Sequence, residues 1–215
     1  MLWLIPLCAF LLGSIPFGLL LGKLHGIDIR KHGSGNIGAT NVFRTVGKKT
    51  GIFCLILDAL KGFIPVYAAV ALTPDQFTGQ LIEVVTALAS ILGHNYSPWI
   101  GFKGGKGIAT TAGAIGGIMP PVALGLLIVI FIVVTKMTKY VSVGSISTAI
   151  ALPILTLWGS YHHGKIVDGT WNQPLFVFSL VAGTLAVWKH RSNITRLRNG
   201  TENKIGQKKE GGPHS

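Results

Sequence analysis

Residues 108–135, IATTAGAIGGIMPPVALGLLIVIFIVVT, are long enough to cross a bilayer and are interrupted at Met119-Pro120-Pro121. A spanning helix needs about 20 apolar residues, fewer where it stops short of the full thickness. Proline removes an amide donor and disfavours helix at the residue before it. The stretch therefore reads as two spans, Ile108–Met119 and Pro121–Thr135, with one long kinked helix as the alternative. Working outward, the same criterion finds Leu2–Gly22, Gly51–Leu72, Leu81–Ile100, Val141–Trp158 and Pro174–Trp188. The expected fold is all-α, a polytopic membrane helix bundle of seven transmembrane helices, with a five-span model as the alternative.

Composition supports this class. The chain is 49% hydrophobic and only 12% charged, against a charged fraction of about 25% in soluble domains. A net charge of +12 suits a polyanionic partner. The basic residues, however, form short clusters between apolar runs, and a spanning bundle offers no element to read a groove, so no nucleic acid is expected as partner. Cys8 and Cys54 fall inside predicted spans and read as small apolar fillers. The first 22 residues lack a positive n-region and an obvious cleavage site, and are expected to be a retained span.

Lys and Arg concentrate in cytoplasmic loops. Six lie in residues 23–50, two in 101–107, two in 136–140 and seven from Lys189 onward. Lys61 is inside the second span, and only Lys165 remains for the opposite face, with Asp75, Glu83 and Asp168. The N-terminus is expected outside and the C-terminus in the cytoplasm. Five or seven crossings alike keep the polar motifs on the cytoplasmic side. Residues 1–202 read as a single transmembrane domain that holds every polar motif. Residues 203–215 form a polar tail without apolar periodicity, expected to be disordered or to lie on anionic lipid. Two Asn-x-Thr glycosylation patterns, at Asn193 and Asn199, are void in the cytoplasm, and no internal repeat is present.

Three polar segments carry the chemistry. In the first, Gly33-Ser34-Gly35-Asn36-Ile37-Gly38-Ala39-Thr40-Asn41-Val42-Phe43-Arg44, the glycines match a dinucleotide fingerprint only formally, because no strand precedes them. The physics still transfers. Glycines let backbone amides converge on an anion, Ser34, Thr40 and Asn41 add donors, and Arg44 offers a fork suited to phosphate. The blander alternative is a tight turn with a capped interfacial helix. In the second, Phe102-Lys103-Gly104-Gly105-Lys106-Gly107, the spacing is one short of a P-loop and no Ser or Thr follows Lys106. What remains is a glycine-lysine turn at a helix start, whose free amides and dipole favour anions. Lys106 is preferred over Lys103 as the functional lysine.

The third segment, Lys189-His190-Arg191-Ser192-Asn193-Ile194-Thr195-Arg196, places His190, Asn193 and Arg196 on successive turns if the helix continues, with Glu202 the nearest carboxylate. His190 is a candidate base or partner for a hydroxyl. His94, near the end of the third span, reads equally as a functional group and as a packing residue. Asp58 and Lys61, three apart, share a helix face and read as a structural ion pair that can support the site indirectly. His163 and Asp168 match a His-x4-Asp spacing that some acyltransferases use to activate a hydroxyl, but they fall on the wrong face by charge bias. No metal-ligand spacing is present, and no cofactor is expected.

Taken together, Gly33-Ser34-Gly35-Asn36-x-Gly38-Ala39-Thr40-Asn41-x-x-Arg44, Gly93-His94 with Phe102-x-Gly104-Gly105-Lys106-Gly107, and Lys189-His190-Arg191-x-Asn193-Ile194-x-Arg196-Leu197 resemble the bacterial acyl-phosphate-dependent glycerol-3-phosphate acyltransferases over essentially the whole chain. The resemblance implies a bacterial inner-membrane enzyme, with its active site facing the cytoplasm. It would transfer a fatty acyl group from acyl phosphate to the 1-hydroxyl of sn-glycerol 3-phosphate, giving lysophosphatidate and phosphate. It also implies a functional link to the enzyme that makes acyl phosphate from acyl carrier protein.

Both substrates carry phosphate, so a site rich in cations and amides is the electrostatic match. An acyl chain gains about 0.8 kcal/mol per methylene kept out of water, which favours leaving it in lipid. Arg44, Lys106 and the amides of Gly33, Gly35, Gly38, Gly104, Gly105 and Gly107, helped by Asn36, Thr40 and Asn41, are expected to hold the phosphates. Ser34, His190 and Asn193 are expected to orient the acceptor, while His94, Asp58, Lys61 and Arg196 support the site. The proton goes to His190 or to a donor phosphate oxygen. A covalent acyl-Ser34 route is disfavoured, since no base adjoins Ser34 and the donor is already activated. The competing function class is a transporter of phosphate or an organic phosphate.

Overall fold

The computed structural model describes residues 2–73 and 77–206, so Asp75 and the tail beyond Gly206 lie outside the described residues. The described residues form ten α-helices and no strand. They are α1 (Leu4–Ser14), α2 (Phe17–Leu24), α3 (Ala39–Thr45), α4 (Lys48–Leu72), α5 (Phe77–Asn95), α6 (Ile108–Ile118), α7 (Pro121–Thr138), α8 (Val141–His162), α9 (Gln173–Lys189) and α10 (Arg191–Arg198). Five segments are long and apolar enough to cross a membrane: Leu4–Leu24, Lys48–Leu72, Phe77–Ile100, Pro121–Thr138 and Val141–His162. α6 and α9 are apolar but shorter. The Met119-Pro120 break separates two helices with different partners, because α6 packs mainly on α4 whereas α7 packs on α8.

Lipid does not drive apolar faces together, so helices associate through close backbone approach at small residues. The α4–α6 crossing uses glycine from both sides. A Cβ on Gly62 would lie 2.1 Å from the Thr110 carbonyl oxygen, and one on Gly113 would lie 1.9 Å from that of Ala59. The α1–α5 crossing repeats the device, with Gly13 against Ser90 and Gly93 against Phe10. Any larger side chain at these four positions must push the helices apart.

The first span is broken between Ser14 and Phe17, at Ile15-Pro16. Proline there frees carbonyls that must find other donors inside a bundle. Two neighbours supply them, and a third holds the Ser14 hydroxyl. Lys61 Nζ donates to the Ile15 carbonyl at 2.8 Å, Ser97 Oγ to the Ser14 carbonyl at 2.6 Å, and Trp99 Nε1 to Ser14 Oγ at 2.7 Å. Lys61 also pairs with Asp58 Oδ1 at 2.8 Å, with both side chains almost fully buried. The pair anticipated from sequence therefore forms, and it fastens α4 to the break in the first span.

Candidate active site

The first polar loop is organised around one side chain. Gly33 and Gly35 adopt φ +61° and +70°, a left-handed conformation that glycine enters without strain. Asn41, on α3 and 1% exposed, then clasps the loop from below. Its Oδ1 accepts from the Ser34 amide at 2.9 Å, and its Nδ2 donates to the carbonyls of Ile29 and His32 at 2.9 and 3.2 Å. The Gly38 amide is likewise taken, donating to Asn36 Oδ1 at 2.8 Å. The Gly35 amide donates to the His32 carbonyl at 3.0 Å, so the amides of Gly35 and Gly38, counted from sequence among the anion donors, close the loop on itself together with that of Ser34. Arg44 projects from α3 and donates to the Asn203 carbonyl at 3.4 Å.

The glycines of the second loop have a packing role that sequence reasoning missed. Gly104 and Gly105 lie against the end of α5. A Cβ on Gly104 would be 2.0 Å from the His94 carbonyl oxygen, and one on Gly105 would be 2.1 Å from His94 Nε2. The Gly105 amide donates to the same His94 carbonyl at 3.0 Å. Gly107, at φ +79°, turns the chain into α6, and Ile108 and Ala109 open the first turn of that helix on the cavity wall. Amides of a first turn have no acceptor within their own helix.

The third segment is a helix joint. His190 separates α9 from α10, and its Nδ1 sits 2.7 Å from the Ala186 carbonyl. A carbonyl can only accept, so Nδ1 carries the proton and a neutral ring keeps its lone pair on Nε2. Asn193, 5% exposed, accepts from Lys106 Nζ through Oδ1 and donates through Nδ2 to Glu202 Oε1 at 2.6 Å. Glu202 further accepts from Ser142 Oγ at 2.9 Å and pairs with Arg196 Nε at 2.7 Å.

These groups line one cavity of about 140 Å³. It brings together Ser34, Asn36, Gly38, Thr40, Asn41, Arg44, Asp58, His94, Lys106, Gly107, His190, Asn193 and Arg196. Gly35, Gly104, Gly105 and Lys61 do not line it, and Gly33 lines an adjoining groove instead. Glu202, Asn203, Ser142 and Ser145 do line it, although sequence reasoning gave them no role. The one available signal was Glu202 itself, a lone carboxylate directly after a basic run. Residues just after Glu202 also touch the bundle. The Ile205 amide donates to the Lys139 carbonyl at 2.9 Å, and Lys204 lies over the Tyr140 ring.

Charge is tuned by burial. Burial pushes the Lys106 ammonium down to about 8; Glu202 opposes the shift, and Arg196 and Arg44 add to it. His190 is pushed down to about 4, by burial first and then by the Lys106 charge, with the Ala186 carbonyl and Glu202 acting the other way. Arg44 is lowered by burial, opposed by Glu202. Burial raises Glu202, but the hydrogen bonds from Asn193, Arg196 and Ser142 outweigh it and hold the carboxyl below its ordinary range. At the inner end, His94 Nδ1 lies 3.7 Å from Asp58 Oδ1.

The larger groove, about 1290 Å³, shares Thr40, Arg44, Leu55, Phe131 and Glu202 with the cavity and continues along Phe43 and Ile52. Its walls come from α3, α4, α7 and the 200–206 segment. A small chamber edged by cations and amides thus adjoins a larger groove. Among the described residues no cluster of His, Cys, Asp and Glu has the makings of a metal site.

A sequence profile described as glycerol-3-phosphate acyltransferase matches residues 3–200. The glycerol-3-phosphate acyltransferases of Desulforamulus reducens and Geobacter sulfurreducens are 47% and 45% identical over 202 and 198 residues, covering 94% and 92% of this chain and 94% of each relative. The crystal structure of PlsY (YgiH), an integral membrane glycerol 3-phosphate acyltransferase, in its glycerol 3-phosphate form is similar with a TM-score of 0.83 at 38% identity, covering 95% of this chain and 96% of that one. Its lysophosphatidic acid form gives 0.80 at 37%, covering 95% of both chains. These likenesses decide between the enzyme and the transporter open from sequence alone. The chain belongs to the glycerol-3-phosphate acyltransferase family, as an integral membrane enzyme.

Proposed function

We propose that the enzyme takes its acyl group from acyl phosphate and places it on the 1-hydroxyl of sn-glycerol 3-phosphate, yielding lysophosphatidate and inorganic phosphate in the first acylation of phospholipid synthesis. The observation that carries this reading is the convergence of Arg44, Lys106 and Arg196, from three distant segments, on a cavity that adjoins the groove along Phe43, Ile52 and Phe131. Two phosphates need that concentration of cations, and a chain kept in lipid needs that neighbouring groove. Crystals of a relative in glycerol 3-phosphate and lysophosphatidic acid forms support the acceptor and product.

In the mechanism, the acceptor hydroxyl oxygen bonds to the carbonyl carbon of the mixed anhydride, the carbon–oxygen bond to phosphorus breaks, and phosphate leaves. The protein must bring the reacting atoms to about 3–3.5 Å and stabilise the departing charge. Arg44, Lys106, the Thr40 region and the first turns of α3 and α6 hold the phosphates. Ser34 and the Nε2 lone pair of His190 orient the hydroxyl. A histidine held near 4 is a weak resting place for a proton at neutral pH. The phosphate oxygen freed when the anhydride bond breaks is far more basic and is the better final acceptor, and His190 passes the proton to the leaving group. Among the described residues no base is hydrogen-bonded to the Ser34 hydroxyl, which supports direct transfer over an acyl-serine.

The basic residues beside the three motifs support an external N-terminus and a cytoplasm-facing site in the bacterial inner membrane, and the apolar α6 and α9, as short spans, would bring five crossings to seven. Residues 1–202 would then be one catalytic domain, receiving its donor from the enzyme that makes acyl phosphate. The test is purified protein given glycerol 3-phosphate with either acyl phosphate or acyl-CoA. Lysophosphatidate and phosphate are expected in equal amounts from the first donor alone. Turnover with acyl-CoA and none with acyl phosphate overturns the donor assignment.

A further inference from the structure

A carboxylate inside a site for dianions needs a reason, because like charge repels the substrate. Glu202 is 7% exposed, lines both chambers and spends both oxygens on neighbours. Oε1 takes Ser142 and Asn193, and Oε2 takes Arg196. The consequence lies one bond further on. An asparagine amide has two orientations, and only one gives Lys106 an acceptor. Lys106 can only donate and ionised Glu202 can only accept, so Asn193 between them has a single consistent orientation. Glu202 meanwhile fixes the Arg196 guanidinium at the rim.

Resting on the reading that Lys106 and Arg196 meet substrate phosphate, we propose that Glu202 is a positioning residue of the acyl transfer, which acts through Asn193 to aim Lys106 and directly to aim Arg196. It does not touch the reacting atoms. The 199–206 segment that carries it is tied down around the site, by Arg44 to the Asn203 carbonyl, by the Thr201 amide to the Arg196 carbonyl and by the Ile205 amide to the Lys139 carbonyl.

A merely structural carboxylate and a positioning one differ in what their removal does. The charged and titratable groups around Lys106 are Glu202, Arg196, Arg44 and His190, with Asp58 and His94 at the inner end of the cavity. Of these only Glu202 holds the Lys106 ammonium up. In Glu202→Gln the amide keeps an acceptor for Asn193 but presents a donor to Arg196. We expect kcat to fall about tenfold, with the KM for glycerol 3-phosphate at pH 6.5 unchanged or lower because a repelling charge is gone. The alkaline limb of kcat/KM should move down by about one pH unit. Glu202→Asp, which keeps the charge with a shorter reach, should restore the limb but only part of kcat.

The same midpoint is read without any acyl donor by calorimetric binding of glycerol 3-phosphate across pH, since the ligand's own ionisation is common to all variants. If wild type fails on acyl phosphate, the proposed donor falls while this binding arm still tests Glu202. Wild-type kcat in Glu202→Gln overturns the proposal. So does a raised KM with an unmoved alkaline midpoint in both variants. If Glu202→Gln does not fold, Glu202→Asp decides alone, and full kcat in that variant overturns the aiming role.

Discussion

Two lysines near carboxylates, the buried Lys61 and the half-buried Lys106, are treated differently. Lys61 touches Asp58 directly at 2.8 Å, both are sealed inside the bundle, and the ammonium spends its remaining reach on the Ile15 carbonyl. Lys106 meets its carboxylate only through the neutral amide of Asn193. Between two almost fully buried groups direct contact cancels the Lys61 charge, and the result is a fastening. An intervening amide orients the cation and leaves its field available, and the result is a binding site. One interposed neutral side chain separates the two uses.

The largest effect that tests the contrast is on stability. Asp58→Ala strands a buried ammonium, and removing one member of such a pair costs about 3–5 kcal/mol. Thermal unfolding in detergent should show the loss, with part of it recovered in Asp58→Leu combined with Lys61→Met. An unchanged melting temperature in Asp58→Ala would erase the fastening role. Next, Lys106→Met should lower kcat/KM by about 10²- to 10³-fold, the range for losing one charge-stabilising donor. Its melting temperature should hold or rise, because a desolvated cation has gone. If it melts as early as Asp58→Ala, the two lysines are alike after all.

The pH profile sharpens the contrast. Lys106 must be protonated to meet phosphate, so kcat/KM, which reports the free enzyme, should fall toward tenfold per pH unit above about pH 8. Stability moves the other way. With the folded value depressed, the unfolded chain holds more protons between pH 8 and the ordinary lysine value, so the Lys106 contribution to stability rises with pH there. Chemical denaturation at pH 7.5 and 9 in wild type and Lys106→Met separates it from other groups.

Asn193→Asp gives Lys106 a direct carboxylate and should raise the KM for glycerol 3-phosphate about tenfold, the equivalent of one pKa unit of coupling. The smallest change is Trp99→Phe. It deletes one bond to Ser14 at the break in the first span, costs about 1 kcal/mol and should leave turnover unaltered.

Hydropathy and the three motifs made the bundle and most of the cavity wall legible, because each signal is local. The prolines at 120 and 121 mark a true helix boundary, and Asp58 with Lys61 shares a face by spacing alone. What stayed hidden depends on partners distant in sequence. Asn41 reads as an anion donor until the carbonyls of Ile29 and His32 and the Ser34 amide are seen to occupy it. Gly104 and Gly105 read as amide donors until the end of α5 is seen against them. Glu202 and Ser142 form one hydrogen bond across 60 positions, and no local pattern announces it.

The Arg44 bond to the Asn203 carbonyl joins positions 159 residues apart, and this has a bearing on biogenesis. No stretch emerging early from the ribosome holds a working catalyst, since its walls are completed only when α10 and the segment after it arrive. Activity in such a chain is therefore a readout of finished insertion, and truncated chains ending before residue 199 should be inert however many of their helices reach the bilayer.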